Sequence, residues 1–572
     1  MKSLSDGIAN FSTLRRRDLL YVDKTKLLYE LVKDEKPFFL SRPRRFGKTL
    51  TVSSLKAILE GRRELFKGLW IDSSDYDWRP YPVIHLNLSA FETSSLDSVK
   101  KELLKRLKIV AGYENLPSNL AKPDSEAKPD SEDSPTTFFL SLIAKLYYEY
   151  DQTPVAILID EYDAPILSAI AKPELADQIR QLLKNFYGVL KAAEEYRGFT
   201  FITGVTRFAK TSIFSDLNNL EDLTVDDDFS AICGFTIEEF DSIIQERLEQ
   251  TLSKMKSKGR LEQETTVAEL RARILEWYDG YSWDGETRVI NPWSLLKFLK
   301  KARFSNFWFE SGTPTFLVDL IRAHRMSLNF FQADNYISPA LNNVEVANFK
   351  PGPLMFQTGY LTIRTDVPPK GNNYNLVFPN LEVKASLAPL LLSMETPMED
   401  ELLMKKQALA VKACLFKRDE SGFQAAFESF IANYPYQIQK GKNEFFYQTV
   451  FISAMALADQ YFESELSVGG GRLDLHLKER QGDDYVIEIK CREANENPQK
   501  KTREAFDQIE DRKYCLKFQG AGNRIWKAAL VIAGARDVHI SFELAQNWVL
   551  ESAGGFFMVP NPLAKVEPET PA

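Results

Sequence analysis

The stretch Phe38 to Leu55, FFLSRPRRFGKTLTVSSL, constrains the fold more than any other part of the chain. An apolar run, a basic turn containing Gly47, Lys48 and Thr49, and an amphipathic helical pattern follow one another without a break. A strand running into a turn that opens a helix is the setting in which backbone amides cradle phosphate, because the helix N-terminus presents unpaired N–H groups. Lys48 is then placed to reach the β- and γ-phosphates and Thr49 to ligate Mg²⁺, while the amides of Arg45, Phe46, Gly47, Lys48 and Thr49 bind the anion. The pattern G-x-x-x-x-G-K-[ST] has a glycine where this chain has Arg42. Gly47 remains where the backbone approaches phosphate most closely, and Arg42, Arg44 and Arg45 add positive charge beside it.

Further along, VAILIDEYD supplies the partner such a loop needs. Val155 to Ile159 make a buried strand that ends in Asp160 and Glu161. Asp160 is suited to hold hydrated Mg²⁺, and Glu161 to polarise an attacking water. FITGVTR ends another strand with Thr203, Thr206 and Arg207, suited to sensing a γ-phosphate. Arg207 or the loop arginines would also suit a neighbouring subunit's site, which leaves a homo-oligomer open. PFFLS, YPVIHLNLSA, PVAILID and RGFTFITGVTR read as strands, and helical segments such as DKTKLLYELVKD, capped by Asp23, lie among them. Strands separated by helices imply an α/β fold, a parallel sheet with helices on both faces.

The alternation holds over residues 1–230, broken by AKPDSEAKPDSEDSPTT at 121–137, which is too rich in Pro, Ser and acid to bury a core and reads as a disordered insertion. Helical patterns then dominate 231–330, a helical lid or winged-helix module, and 331–440 reads as a mixed connector in which PLMFQTGYLTIRT looks hairpin-like. Residues 441–572 return to a β-rich α/β pattern.

In that last region RLDLHL alternates, so Asp474 and His476 face away from Leu473, Leu475 and Leu477. After a turn at RQGDD, YVIEIK alternates again, with Ile487 and Ile489 toward the core and Val486, Glu488 and Lys490 opposite. If the two strands pair, Asp474, Glu488 and Lys490 converge on one polar face. Two carboxylates there favour Mg²⁺ or Mn²⁺ over zinc, and a lysine beside them orients or stabilises a nucleophile, which is the chemistry of a metal-dependent phosphodiesterase. Glu465 is the candidate third acid and Gly469 to Gly471 a tight approach to the first strand; the resemblance of this stretch to PD-(D/E)XK nucleases implies that Gln508 and Tyr514 belong to a helix packed beside the site. His476 is expected to face solvent or be hydrogen-bonded rather than to bind metal. Lys490, Arg492, Lys500, Lys501, Arg503, Arg512 and Lys513 form a basic cluster, but the acids among them fit a solvated helical face as well as a phosphate track.

The net charge of -8 requires any nucleic-acid contact to come from such a local patch. Four scattered cysteines give neither a zinc ribbon nor a disulfide framework, as expected in a reducing cytoplasm. The first residues carry no apolar signal segment, and no apolar run approaches the ~18 residues of a membrane helix.

YVDKTKLLYEL, FFLSRPRRFGKTL, LIDEYDAPI, TGVTRFAKTSIFSDLNNLEDLT and ICGFT resemble the bacterial AAA-ATPase-like family, whose members carry a C-terminal PD-(D/E)XK nuclease-like domain. WYDGYSWDGETRVINPWSLLKFL, FWFESGTPTFL and LMFQTGYLTI extend the likeness to nearly the whole chain. The resemblance implies ATP as the nucleotide, a P-loop NTPase fold followed by a restriction-endonuclease-like α/β domain, and nucleic acid as partner. The expected activity is an ATPase coupled to a nuclease, and the alternative is a nucleotide-switched interaction protein whose nuclease-like domain does not cut.

Overall fold

The computed structural model describes the chain except residues 1, 35, 113–133, 171, 209–212, 215–216, 218, 262, 313–335, 338–350, 364, 366–373, 388–400, 435–443, 459–461, 469–470, 480–482, 519–523, 535, 546, 551–555 and 560–572. The chain forms two compact units: Met1–Lys258 with Thr266–Arg325 and Asp334–Val383, and Lys384–Ala572 with two short segments, Gly259–Thr265 and Met326–Ala333.

In the first unit, β1 (Pro37–Ser41), β2 (Val83–Asn87), β3 (Val155–Asp160), β4 (Arg197–Gly204) and β5 (Glu221–Asp222) form a parallel sheet in the order β2-β3-β4-β1-β5. Every residue of β1 and of β3 is buried, which is why both read as unbroken apolar runs rather than alternating ones. Because β4 lies between β1 and β3, the ends of all three strands gather at one edge, the position where open α/β sheets hold ligands. Helix Thr25–Asp34 begins where Asp23 Oδ1 accepts the Thr25 N–H at 2.9 Å, and helix Ile237–Ser257 begins with a capping box between Thr236 and Glu239.

The 121–137 segment lies outside the described residues up to 133, and its last residues, Pro135 to Thr137, are the first turn of helix Pro135–Glu149. Proline reads as a loop former, yet it is well tolerated at a helix start, where its missing N–H has no partner to lose. PLMFQTGYLTIRT is a further correction: it is not a hairpin, because PLMFQ completes helix Pro351–Gln357 and Thr362–Ile363 is the strand β7, which pairs with β8 (Tyr374–Val377). Tyr336–Ile337 is β6, on the other edge of β8.

Downstream of the sheet, Glu382 is fully buried and ties two helix starts together. Its Oε2 accepts the Ser294 hydroxyl in helix Pro292–Lys301, and its Oε1 accepts the Trp308 N–H in helix Phe307–Gly312, each at 2.7 Å. Burial pushes its pKa up to about 8, so it is held neutral.

The second unit carries the sheet β13-β12-β11-β10-β9, built from β9 (Phe462–Val468), β10 (Gly471–Lys478), β11 (Asp484–Cys491), β12 (Ile525–Gly534) and β13 (Asp537–Leu544). Only the β11–β12 pair is parallel; the crossover between them contains helix Pro498–Asp511. That helix packs Ala505, Phe506 and Ile509 against Val486, Tyr514 and Cys515. The strands β14 (Asn547–Leu550) and β15 (Phe556–Val559) pair antiparallel in a separate two-stranded sheet. Among the described residues no helix is long and apolar enough to cross a membrane.

Candidate functional sites

In the first unit the chain leaves β1, turns, and enters helix Lys48–Leu59 with Gly47 as its N-cap at φ 105. Arg45, at φ 68, also takes the left-handed conformation, whereas Arg42 does not. The Arg42 N–H instead continues the sheet, donating to Gly204 O at 3.1 Å. The backbone therefore makes no glycine-only demand at position 42, which is why the motif survives arginine there.

Lys48 is buried and donates to Pro43 O at 3.0 Å, with Glu161 Oε1 at 3.9 Å. The Thr49 hydroxyl donates to Asp160 Oδ2 at 2.8 Å, and Asn87 Nδ2 donates to the same oxygen at 3.3 Å. Asp160 Oδ1 is buried with no hydrogen-bond partner among the described residues. Burial, reinforced by Glu161, pushes the Asp160 pKa up to about 6. Glu161 sits at φ 56, a left-handed corner just beyond β3. A cavity of about 480 Å³ adjoins this loop, lined by Arg45 to Thr51, by Glu161, and by Ile8, Tyr21 and Trp293.

The β4 end is organised differently from the sequence expectation. Thr206 is bound to Asp163, whose Oδ2 accepts both the Thr206 hydroxyl and its N–H at 2.6 Å. Arg207 is paired with Asp222 on β5, and its N–H donates to Gln357 Oε1 at 2.8 Å. Thr203 is buried, with its carbonyl accepting the Tyr162 N–H at 3.0 Å. Asp163, which no sequence pattern singles out, is thus the residue that fixes this strand end. A Cβ at Gly204 would lie 2.4 Å from Asp163 Oδ1, so only glycine allows that approach. Arg42 is a correction too: its side chain is fully buried rather than set beside the phosphate loop's open side.

In the second unit β10 and β11 pair with Leu475 opposite Ile487 and His476 opposite Val486, and the same register carries Asp474 opposite Glu488. Asp474 Oδ2 accepts the Ile489 N–H at 2.8 Å. Glu488 Oε1 accepts from Lys490 Nζ at 2.9 Å, while Oε2 is buried with no partner among the described residues. Burial, then the neighbouring Asp474, pushes the Glu488 pKa up to about 8. Burial works against the Lys490 charge, but Glu488, Glu444 and Asp474 together outweigh it and hold its pKa above the ordinary value.

The face shared by Val486, Glu488 and Lys490 is not the open polar face the alternation implied. Val486 is covered by helix Pro498–Asp511 and Glu488 is 1% exposed, because a strand in the middle of a sheet packed on both sides is buried throughout. His476 is likewise buried; its Nε2 lies 2.9 Å from Asp484 Oδ1 and its ring stacks on Phe518 at 3.8 Å.

Glu444 also belongs to this site. It opens helix Glu444–Leu457, its Oε1 accepts the Cys491 N–H at 3.3 Å, and its charge acts on both Glu488 and Lys490. One turn on, Gln448 Nε2 donates to Asp474 O at 3.2 Å. Glu465 lies on β9, where the register sets its backbone opposite Asp474; its side chain, with Gly469 and Gly470, is outside the described residues. Tyr514 is buried, hydrogen-bonded to Gln508, and raised in pKa by burial and then by Glu488 and Asp474.

The basic cluster does not gather into one track. Arg492 is 6% exposed and paired with Asp537, Lys501 is paired with Glu504 at 2.7 Å, and Arg503 with Asp507 at 3.0 Å. Trp526 donates to Asp483 Oδ2 at 2.8 Å beneath Arg418, so it serves packing. No group of three or more His, Cys, Asp or Glu among the described residues is arranged to hold a metal ion.

Residues 5–214 match the model of a family described as a predicted AAA-ATPase, and residues 442–542 match that of the PD-(D/E)XK nuclease superfamily. A protein of Azotobacter chroococcum mcd 1, described as an uncharacterized protein in the vnfD 5' region, is 33% identical over 534 residues, covering 92% of this chain and 95% of that one.

Proposed function

The chain belongs to the predicted AAA-ATPase family with a PD-(D/E)XK nuclease superfamily domain toward its C-terminal end, and on that premise we propose that it is an ATPase coupled to a metal-dependent nucleic-acid phosphodiesterase. One observation, made twice, carries the reading. Asp160 and Glu488 are both buried, and each has a carboxylate oxygen with no partner among the described residues. A buried, unpartnered carboxylate oxygen is costly, and a divalent cation is the partner that offsets that cost.

Thr49 and Asp160 would hold Mg²⁺ in the first unit, and Asp474 and Glu488 would hold Mg²⁺ or Mn²⁺ in the second. The ion supplies charge neutralisation at a phosphate under attack. The rest is done by the chain's own groups. Lys48 exchanges the Pro43 carbonyl for a phosphate oxygen, and the amides from Arg45 to Thr49 orient the triphosphate. Glu161 takes a proton from the attacking water. In the second unit Lys490 orients the nucleophile, and Glu444 adds its negative charge to the pair it faces. Nucleotide binding or turnover then gates cleavage. Four free cysteines fit a reducing cytoplasm as the place of action.

A second reading, a nucleotide-switched interaction protein that does not cut, draws on the Glu488–Lys490 pair: a carboxyl raised to about 8 and engaged by lysine is poorly charged for a cation at neutral pH. The separating experiment incubates the purified chain with mixed DNA and RNA, Mg²⁺ or Mn²⁺, and ATP, ADP or no nucleotide. Cleavage that is lost in Glu488→Ala supports the nuclease; no cleavage in any nucleotide state supports the switch.

A further inference from the structure

We propose that Arg42 is a positioning residue that joins the phosphate loop to the segment at 281–283, so that nucleotide occupancy is transmitted to Trp283. The inference rests on the nucleotide-binding reading above and adds a route out of that site.

Arg42 stands where the motif has glycine, its backbone is ordinary there, and its side chain is fully buried. Nη1 donates to Ser41 O at 2.9 Å and to Thr224 O at 2.8 Å, and Nη2 donates to Phe229 O at 3.4 Å. The guanidinium also stacks on Trp283, 4.4 Å from the ring centroid. A buried guanidinium is expensive unless its donors are used, and here the two terminal nitrogens are spent on backbone carbonyls of three positions rather than on a counter-ion, while Nε has no hydrogen-bond partner among the described residues. Those carbonyls lie at the end of β1 and in the chain just beyond β5.

Phe46 holds the other end of the loop against the same segment. Its ring meets Tyr281 edge-on at 4.7 Å and Trp283 at 5.3 Å, and its carbonyl accepts the Gly234 N–H at 3.2 Å. Between the two ends, Arg44 O accepts from Trp308 Nε1 at 3.0 Å and Arg45 stacks on Trp293 at 4.4 Å. The loop is therefore clamped at both ends on Trp283 and cannot re-aim its amides without moving that ring. In a close-packed interior such a displacement is passed on rather than absorbed.

The test uses the full chain and a non-hydrolysable ATP analogue with Mg²⁺. The readouts are the dissociation constant, ATP turnover, and the Trp283 fluorescence change, taken as wild type minus Trp283→Phe. Arg42→Gly, which recreates the motif glycine, should bind at least tenfold more weakly and lose the Trp283 signal; Arg42→Lys should recover part of both. If Arg42→Gly does not fold, Phe46→Leu decides: a lost Trp283 signal with nucleotide still bound supports the inference, and an unchanged one overturns it. Arg42→Gly that folds, binds and responds like wild type also overturns it. A wild-type chain that binds no nucleotide defeats the nucleotide reading together with this inference, whereas binding by the wild type with unaltered variants defeats this inference alone.

Discussion

The Thr49 hydroxyl donates to Oδ2 of Asp160 at 2.8 Å, joining the first turn of helix Lys48–Leu59 to the last residue of β3. The other oxygen of Asp160 has no partner among the described residues, although the side chain is buried. Asp160→Asn should therefore lower Mg²⁺-dependent ATP turnover on the order of 100-fold or more. It should also raise the melting temperature, because a buried carboxyl that resists ionisation is replaced by an amide. Turnover against Mg²⁺ concentration, with a melting curve of each protein, checks both halves.

Lys48 and Lys490 lie in different units, so under the proposed function their variants should separate as well. Lys48→Ala should abolish ATP turnover, since it removes the buried ammonium that lies 3.9 Å from Glu161. Lys490→Ala should abolish cleavage and leave ATP binding unchanged. Nucleotide titration and a cleavage gel on both variants test this, and loss of ATP binding in Lys490→Ala would contradict it.

Glu444 reaches the second site through the Cys491 N–H and through its effect on Glu488 and Lys490. Glu444→Gln should lower the cleavage rate ~10- to 100-fold, the range for outer groups that tune a metal site. Glu465→Gln is the comparison, and the larger loss of the two marks the third acid, Glu465 as the sequence suggests or Glu444.

Glu382 sets a pH dependence of stability in the first unit. Its folded pKa, pushed by burial to about 8, lies above the unfolded value of 4.5, so the folded state keeps a proton that the unfolded state gives up. Stability should accordingly fall as pH rises from about 4.5 to about 8, by at most ~1.4 kcal/mol per pH unit. Glu382→Gln still accepts from Trp308 and still meets Ser294, but it cannot ionise. Its melting temperature should match wild type near pH 5 and exceed it at pH 8, as read by thermal melts across that range.

What the sequence made legible was local. The loop with its helix, the Asp160–Glu161 strand end, and the pairing of Asp474 with Glu488 each depend on contiguous residues or on one hairpin register, and periodicity reports those directly. Groups whose position depends on the tertiary fold were not legible. Glu444 opens a helix that no local rule docks beside β11, and Asp163 binds Thr206 only because β3 and β4 end side by side. Arg207 looked free to sense phosphate because its partner, Asp222, lies on a two-residue strand too short to leave a pattern. Arg42 looked like positive charge beside the phosphate loop because its burial is offset by distant carbonyls at Thr224 and Phe229.

The central claim is that each unit holds its own divalent cation on a buried carboxylate, and Mn²⁺ binding counted by electron paramagnetic resonance tests it most directly. With a non-hydrolysable ATP analogue present, the account predicts two tightly bound Mn²⁺ per chain, one lost in Asp160→Asn and the other in Glu488→Gln. A wild-type chain that binds none, or variants that bind as many as wild type, would contradict it.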